Sequence, residues 1–219
     1  SGGNLEVDGS LNNSISAAVS GKLSGNGTIG GAAVTGGILA PGLTTANSNT
    51  AVGTLTAGKN VSLDSASTLS IRLGLSTGAT SNPSTGPGGD VDQLFMNGGT
   101  FSLNNTALQL LPGPDLSLGG IYVIVNAGAG SAGVGSDVFA GIPASGDSFT
   151  AANGNVFEVF YGVNAGDTAP GSDIAVELVA VPEPGTWAMT IAGIGLLCIL
   201  RRRRERDMRP GKPIAGRAA

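Results

Sequence analysis

Short apolar runs that break every few residues on glycine, asparagine or aspartate set the strongest limit on what this chain can fold into. Leu5-Glu6-Val7, Ile15 to Val19, Gly21-Lys22-Leu23, Thr28-Ile29, Ala33-Val34-Thr35, Ile38-Leu39, Thr54-Leu55-Thr56, Val61-Ser62-Leu63 and Thr68 to Leu73 read as strands. Asp8-Gly9, Asn26-Gly27, Gly30-Gly31, Gly36-Gly37 and Pro41-Gly42 supply the turns between them. Leu69, Ile71 and Leu73 alternate with Ser70 and Arg72, a period of two that predicts an inward aliphatic set and a water-facing Ser70 and Arg72. Strands this short bury no face alone and need stacked neighbours.

The chain is therefore expected to be all-β, either a solenoid of stacked coils or a β-sandwich, since regularly spaced short strands fit both. The 38 glycines and the small Ala, Ser, Thr and Val between them favour the solenoid, because coil corners need positive φ and narrow coils need small fillers. No strict numerical period is present. Residues 1–78 read as the repeat region, and 79–89 as a flexible Gly/Pro/Ser loop. Residues 90–180 read as a β-rich continuation or cap, carrying the strands Gln93 to Met96, Thr100 to Leu103, Leu108 to Leu111, Ile121 to Val125, Val156 to Tyr161 and Ile174 to Val179. Ser1 is not an initiator and the Gly-rich pattern begins at Gly2, so a longer precursor is expected.

Reactive chemistry is sparse. With no histidine, acid/base relays built on imidazole are excluded. The single cysteine, Cys198, lies in an apolar segment and reads as filler. Asp90 and Asp92, or Asp167 and Asp173, offer oxygens to a calcium ion. Such an ion takes six to eight, so these acids read as solvated turn aspartates. Asp64, Asp90 and Glu158 are the carboxylates from which a glycosidase pair would be drawn, but nothing in the sequence places them together. Asn12, Asn26, Asn60 and Asn104 begin glycosylation-type triplets that turn preference explains. The expectation is a non-enzyme with no cofactor and no metal.

Charge divides sharply. Ser1 to Pro184 holds thirteen acids against Lys22, Lys59 and Arg72, and Gly185 to Ala219 holds eight bases against Glu205 and Asp207. At the boundary, Pro182 and Pro184 hold Glu183 in an extended stretch. Then follows an uncharged run, Trp187-Ala188-Met189-Thr190-Ile191-Ala192-Gly193-Ile194-Gly195-Leu196-Leu197-Cys198-Ile199-Leu200, closed by Arg201, Arg202, Arg203 and Arg204. As a helix the run would rise about 21 Å, short of the roughly 30 Å hydrocarbon core, so it would span only with Trp187 and the arginines anchored at the interfaces. The arginines read as a stop-transfer signal with the acidic body exported, not as a nucleic-acid patch. Residues 205–219 are a basic tail.

Gly21-Lys22-Leu23-Ser24-Gly25-Asn26-Gly27-Thr28-Ile29-Gly30-Gly31, with Gly37-Ile38-Leu39-Ala40-Pro41-Gly42 and Val52-Gly53-Thr54-Leu55-Thr56, resembles the passenger-associated β-strand repeat of bacterial autotransporters. Asp92-Gln93-Leu94, Asn97-Gly98-Gly99-Thr100, Val159-Phe160-Tyr161 and Asp173-Ile174-Ala175-Val176 resemble the segment that follows such repeats. The resemblance implies a right-handed parallel β-helix on an exported surface protein. It departs from autotransporters in lacking their C-terminal barrel. Pro182, Glu183 and Pro184, the apolar run and the arginine cluster together resemble the PEP-CTERM sorting signal over 181–204. That resemblance implies transient insertion in the inner membrane of a Gram-negative bacterium and removal of the tail by an exosortase-type membrane protease. The cell surface or an exopolysaccharide matrix would be the destination, and the body would be adhesin-like or structural. A polysaccharide-processing enzyme on a β-helix and a permanently anchored binding domain are the alternatives.

Overall fold

The computed structural model describes residues 2–17, 21–42, 52–74, 91–128, 131–134, 137–164 and 173–181. The chain divides into a body, Ser1–Val181, and the segment Pro182–Ala219. The expected membrane helix and its flanking motifs belong to that second segment and lie outside the described residues, as does the 79–89 loop.

All named elements are strands, and the first thirteen wind into coils. The first coil is β1 (Asn4–Glu6) and β2 (Ser10–Ala17); the second is β3 (Lys22–Gly25) and β4 (Thr28–Val34). The third is β5 (Ile38–Pro41), β6 (Thr54–Ala57) and β7 (Val61–Leu63), and the fourth is β8 (Thr68–Leu73), β9 (Gln93–Met96) and β10 (Gly99–Ser102). The fifth is β11 (Ala107–Pro112), β12 (Ile121–Ala127) and β13 (Ser131–Val134). β1, β3, β5, β8 and β11 form one parallel sheet. The remaining strands of the coils belong to a second sheet that turns a corner within β4, whose Thr28 and Ile29 pair with β6 while Ala32, Ala33 and Val34 pair with β7. Parallel pairing between successive coils excludes a sandwich of hairpins, because hairpins pair antiparallel.

What holds the stack is a set of inward ladders one coil deep per rung. Leu5, Leu23, Leu39, Leu69 and Leu108 stand in register down the first sheet. Leu55, Leu94 and Val125 do the same down the second, and so do Ala32, Val61 and Phe101 beyond the corner. Leu23, Leu39, Leu69, Leu55, Leu94, Val125, Val61 and Phe101 are all fully buried. Each such aliphatic or aromatic side chain contributes about 1.5–3 kcal/mol by leaving water.

Close coil spacing dictates glycine at particular corners. A Cβ on Gly27 would lie 2.1 Å from the Gly9 carbonyl oxygen, and one on Gly30 would lie 2.4 Å from the Asn12 carbonyl oxygen. β2 passes through Asn12 and Asn13, poor strand formers that lay outside the expected strand starting at Ile15, because the pairing with β4 supplies what propensity lacks.

After β13 the direction changes. β14 (Asp147–Thr150), β15 (Val156–Val163) and β16 (Asp173–Ala180) extend the second sheet antiparallel from β12, in the order β12, β16, β15, β14. Phe157, Val159, Ile174, Val176 and Leu178 of these strands join the same core as the coils.

A buried ion pair at the corner of the long connections and the strand that carries the tail

The connections from the first sheet to the second are short in the first two coils and long in the other three, while the other turns within the coils stay short. β1 reaches β2 through Val7–Gly9 and β3 reaches β4 through Asn26 and Gly27, whereas 42–53, 74–92 and 113–120 separate the corresponding strands below. The long connections therefore all leave from one corner. Arg72 and Asp92 meet at that corner.

Arg72 Nε donates to Asp92 Oδ2 at 2.6 Å and Arg72 Nη2 to Oδ1 at 3.0 Å. The backbone N–H of Gly53 donates to Oδ1 at 2.9 Å and that of Arg72 to Oδ2 at 3.3 Å. Asp92 returns its own N–H to the Arg72 carbonyl at 2.9 Å, and Leu73 bridges Val91 antiparallel. Gly42 lies against the pair so closely that a Cβ there would come within 2.2 Å of Asp92 Oδ1. One carboxylate thus fastens residues at or beside the ends of both the 42–53 and the 74–92 connection. Asp92 is 1% exposed and the Arg72 side chain 14%. Burial pushes the Asp92 carboxyl above its ordinary 3.8, against the hydrogen bond and charge of Arg72 and the Gly53 and Arg72 amides, which pull it down.

This corrects two expectations. Arg72 and Ser70 do not face water: Ser70 is 8% exposed and Arg72 is drawn onto Asp92. Asp92 and Asp173 are not solvated turn residues; Asp173 is fully buried, and its Oδ1 accepts the Ala127 N–H at 2.8 Å. Asp90 and Asp167 lie outside the described residues. Among the described residues no three His, Cys, Asp or Glu side chains come together as a metal site would require.

Asp64 caps the turn after β7. Its Oδ1 accepts from the Gly36 N–H at 3.0 Å, the Ser67 hydroxyl at 2.5 Å and the Ala66 N–H at 3.2 Å. The Gly36 and Ser67 bonds foremost hold its carboxyl below 3.8. One coil down, Thr106 Oγ1 bonds the Leu103 and Asp64 carbonyls, and Asn104 Nδ2 reaches the Leu63 carbonyl at 2.8 Å. Glu158 is elsewhere, on β15, directly across from Glu177 on β16 and Ser148 on β14. Asp64 and Glu158 are therefore on separate parts of the fold. Of the glycosylation-type asparagines, Asn12, Asn26, Asn60 and Asn104 are exposed. Asn60 Oδ1 accepts the Thr100 N–H and Asn104 adopts a φ of 45°, which is turn chemistry.

The body ends on β16, whose last pair is Ala180 with Val156, and Val181 beyond it is 48% exposed. Residues 180–204 match the PEP-CTERM protein-sorting motif. No curated protein matches the chain. The motif begins on the final residue of β16, so the body strand and the sorting signal are contiguous in sequence. It marks an exported protein addressed to an exosortase, a membrane protein, with export across the inner membrane of a Gram-negative bacterium.

Proposed function

We propose that the chain is a non-enzymatic surface or extracellular-matrix protein, adhesin-like or structural, whose stacked coils wind right-handed and whose tail is removed by exosortase at the inner membrane. In this reading Pro182-Glu183-Pro184 is the recognised element. Trp187 to Leu200 is the transient membrane segment, and Arg201 to Arg204 hold its cytoplasmic end. The observation that carries the proposal is the sorting-motif match at 180–204, which follows directly on β16, the last strand of a body of parallel coils extended by antiparallel strands. Support for a structural body comes from its buried acids: Asp92 and Asp173 bind backbone amides and, for Asp92, Arg72. An acidic body, with thirteen acids against three bases before Gly185, suits a hydrated polysaccharide matrix in which like-charged coils stay apart.

The test is made in the native host. Mass spectrometry of the mature wild-type protein is expected to find no peptide from Arg201 to Arg204. Replacing Pro182-Glu183-Pro184 with Ala-Ala-Ala should leave the tail attached and the protein in the inner-membrane fraction. Wild-type protein at the surface with its tail intact would sink the proposal.

A further inference from the structure

Three asparagines of the chain stand directly before a glycine: Asn26, Asn97 and Asn153. All three are exposed, in the turns between β3 and β4, β9 and β10, and β14 and β15. The fold treats the amide that follows each of them differently. The Gly27 N–H donates to the Val7 carbonyl of the neighbouring coil at 2.8 Å, and the Gly154 N–H donates to the Ala151 carbonyl at 2.9 Å. Asn153 is held by its own side chain as well, since its Oδ1 accepts the Asn155 N–H at 3.1 Å. Among the described residues, neither the Gly98 N–H nor the Asn97 carboxamide has such a bond. Gly98 also adopts a φ of 152°, which glycine tolerates without steric cost, so the residue that leaves its nitrogen unscreened by a Cβ is the one this turn calls for.

We infer that Asn97 is a site of spontaneous modification, at which the folded body converts an asparagine to aspartate and isoaspartate with no enzyme. The Gly98 nitrogen gives its proton to hydroxide and attacks Asn97 Cγ. The bond from Cγ to the side-chain nitrogen breaks, and that nitrogen takes up protons from water and leaves as ammonia. Water then opens the resulting five-membered imide. Cleavage at Cγ restores the ordinary chain with an aspartate side chain, and cleavage at the main-chain carbonyl routes the chain through Cβ and Cγ as isoaspartate. One water is consumed, one ammonia is released and nothing is oxidised. A glycine amide already given to a carbonyl is harder to deprotonate and is held in place, which shields Asn26 and Asn153. The product matters at this corner. Met96 pairs with Ala57, Phe101 pairs with Val61, and the Asn97 N–H bonds the Ala57 carbonyl at 2.7 Å, so both flanks are pinned to the coil before. Isoaspartate inserts an extra main-chain carbon between these pins, beside Gly99, which packs directly on the Asn60 backbone. An aged chain therefore carries one more negative charge and a corner too long for its rungs.

The test ages the full chain in mild detergent at mildly alkaline pH and reads chymotryptic peptides by mass spectrometry. Phe95 and Phe101 bracket Asn97, and Phe149 and Phe157 bracket Asn153. Asn97 should gain one mass unit at least about tenfold faster than Asn26 or Asn153, whose glycine amides react only during local opening. A parallel sample unfolded in guanidinium should bring the three rates together, because the difference is made by the fold. Asn97→Gln, which would have to close a larger and slower-forming ring, should remove the main acidic band that ageing adds on isoelectric focusing. Three results overturn the inference: a folded-state rate at Asn97 no greater than at Asn26 and Asn153, an advantage of Asn97 that persists in guanidinium, or an acidic band that survives Asn97→Gln.

Discussion

Replacing Asp92 with alanine removes four interactions at once. The Arg72 guanidinium loses two hydrogen bonds and its counter-charge, and the Gly53 and Arg72 amides lose their acceptor. Breaking one side of a buried pair costs about 3–5 kcal/mol, chiefly because the partner is left desolvated. At the roughly 2–4 °C per kcal/mol expected for a body of this size, melting should fall by about 10 °C. Arg72→Met should cost as much at neutral pH, since it strands a carboxylate only 1% exposed. Its pH dependence differs, however. Burial already raises the Asp92 pKa, and losing Arg72 removes the leading opposing influence. A raised folded-state pKa means that the cost is full above it and fades as pH falls through it towards 3.8, so Arg72→Met should regain stability in acid relative to its own neutral value. The double variant Arg72→Met/Asp92→Leu strands neither charge and should lie closer to wild type than either single change. Trp187, the only tryptophan, reports on the tail, so urea melts should be followed by circular dichroism of the strands. Hydrogen exchange at the Gly53 amide should speed up in Asp92→Ala if the pair fastens the 42–53 connection. A double variant whose loss equals the sum of the two single losses would show that the residues are not coupled, and the reasoning would fail.

Elsewhere in the body, Leu69→Ala, in the middle of the leucine ladder, should cost about 2–5 kcal/mol by urea melting, as buried leucines do. Gly27→Ala should destabilise despite its small size, because the atoms its Cβ meets are the Gly9 and Val7 backbone; a neutral melt would show that the coils can move apart there. Tyr161→Phe deletes the hydroxyl that donates to the Ile142 carbonyl at 2.8 Å and accepts the Phe139 N–H at 3.0 Å, and should cost roughly 1–3 kcal/mol. Asp64 has a lowered pKa, so its stabilisation is present above 3.8 and lost as pH falls below that value. Asp64→Asn should therefore flatten the acid limb of a stability-against-pH curve, and an unchanged limb would assign the acid loss to another group.

The strands of the stack are legible where alternation is strict: Leu69, Ile71 and Leu73 point inward and are fully buried. Alternation says nothing about what lies over the other face, and so Ser70 and Arg72 are misread as wet. The signal for Arg72 was its position as the only arginine of the body, in a strand flanked by leucine and isoleucine; its partner is twenty residues away, at the end of the 74–92 connection just before β9. The repeat itself hides because the register steps from Leu5 to Leu23 to Leu39 to Leu69 to Leu108 are unequal. The irregularity comes from connections of different length at one corner, which alter spacing without altering the rungs. The sorting signal is readable because its three parts are contiguous and each depends on composition. The role of the body is not, because its recognisable chemistry is spent on packing.

β16, the strand that runs into the tail, is not at an edge: it lies between β12 and β15 and pairs with both. Any pull applied through Val181 acts along that strand, so it is resisted in shear by two ladders of hydrogen bonds at once and cannot unzip one bond at a time. In the proposed precursor, a tail held in a bilayer would thus tether the body through a strand that is paired on both sides. Through β12, which pairs with both β16 and β9, such a load would pass directly into the parallel stack.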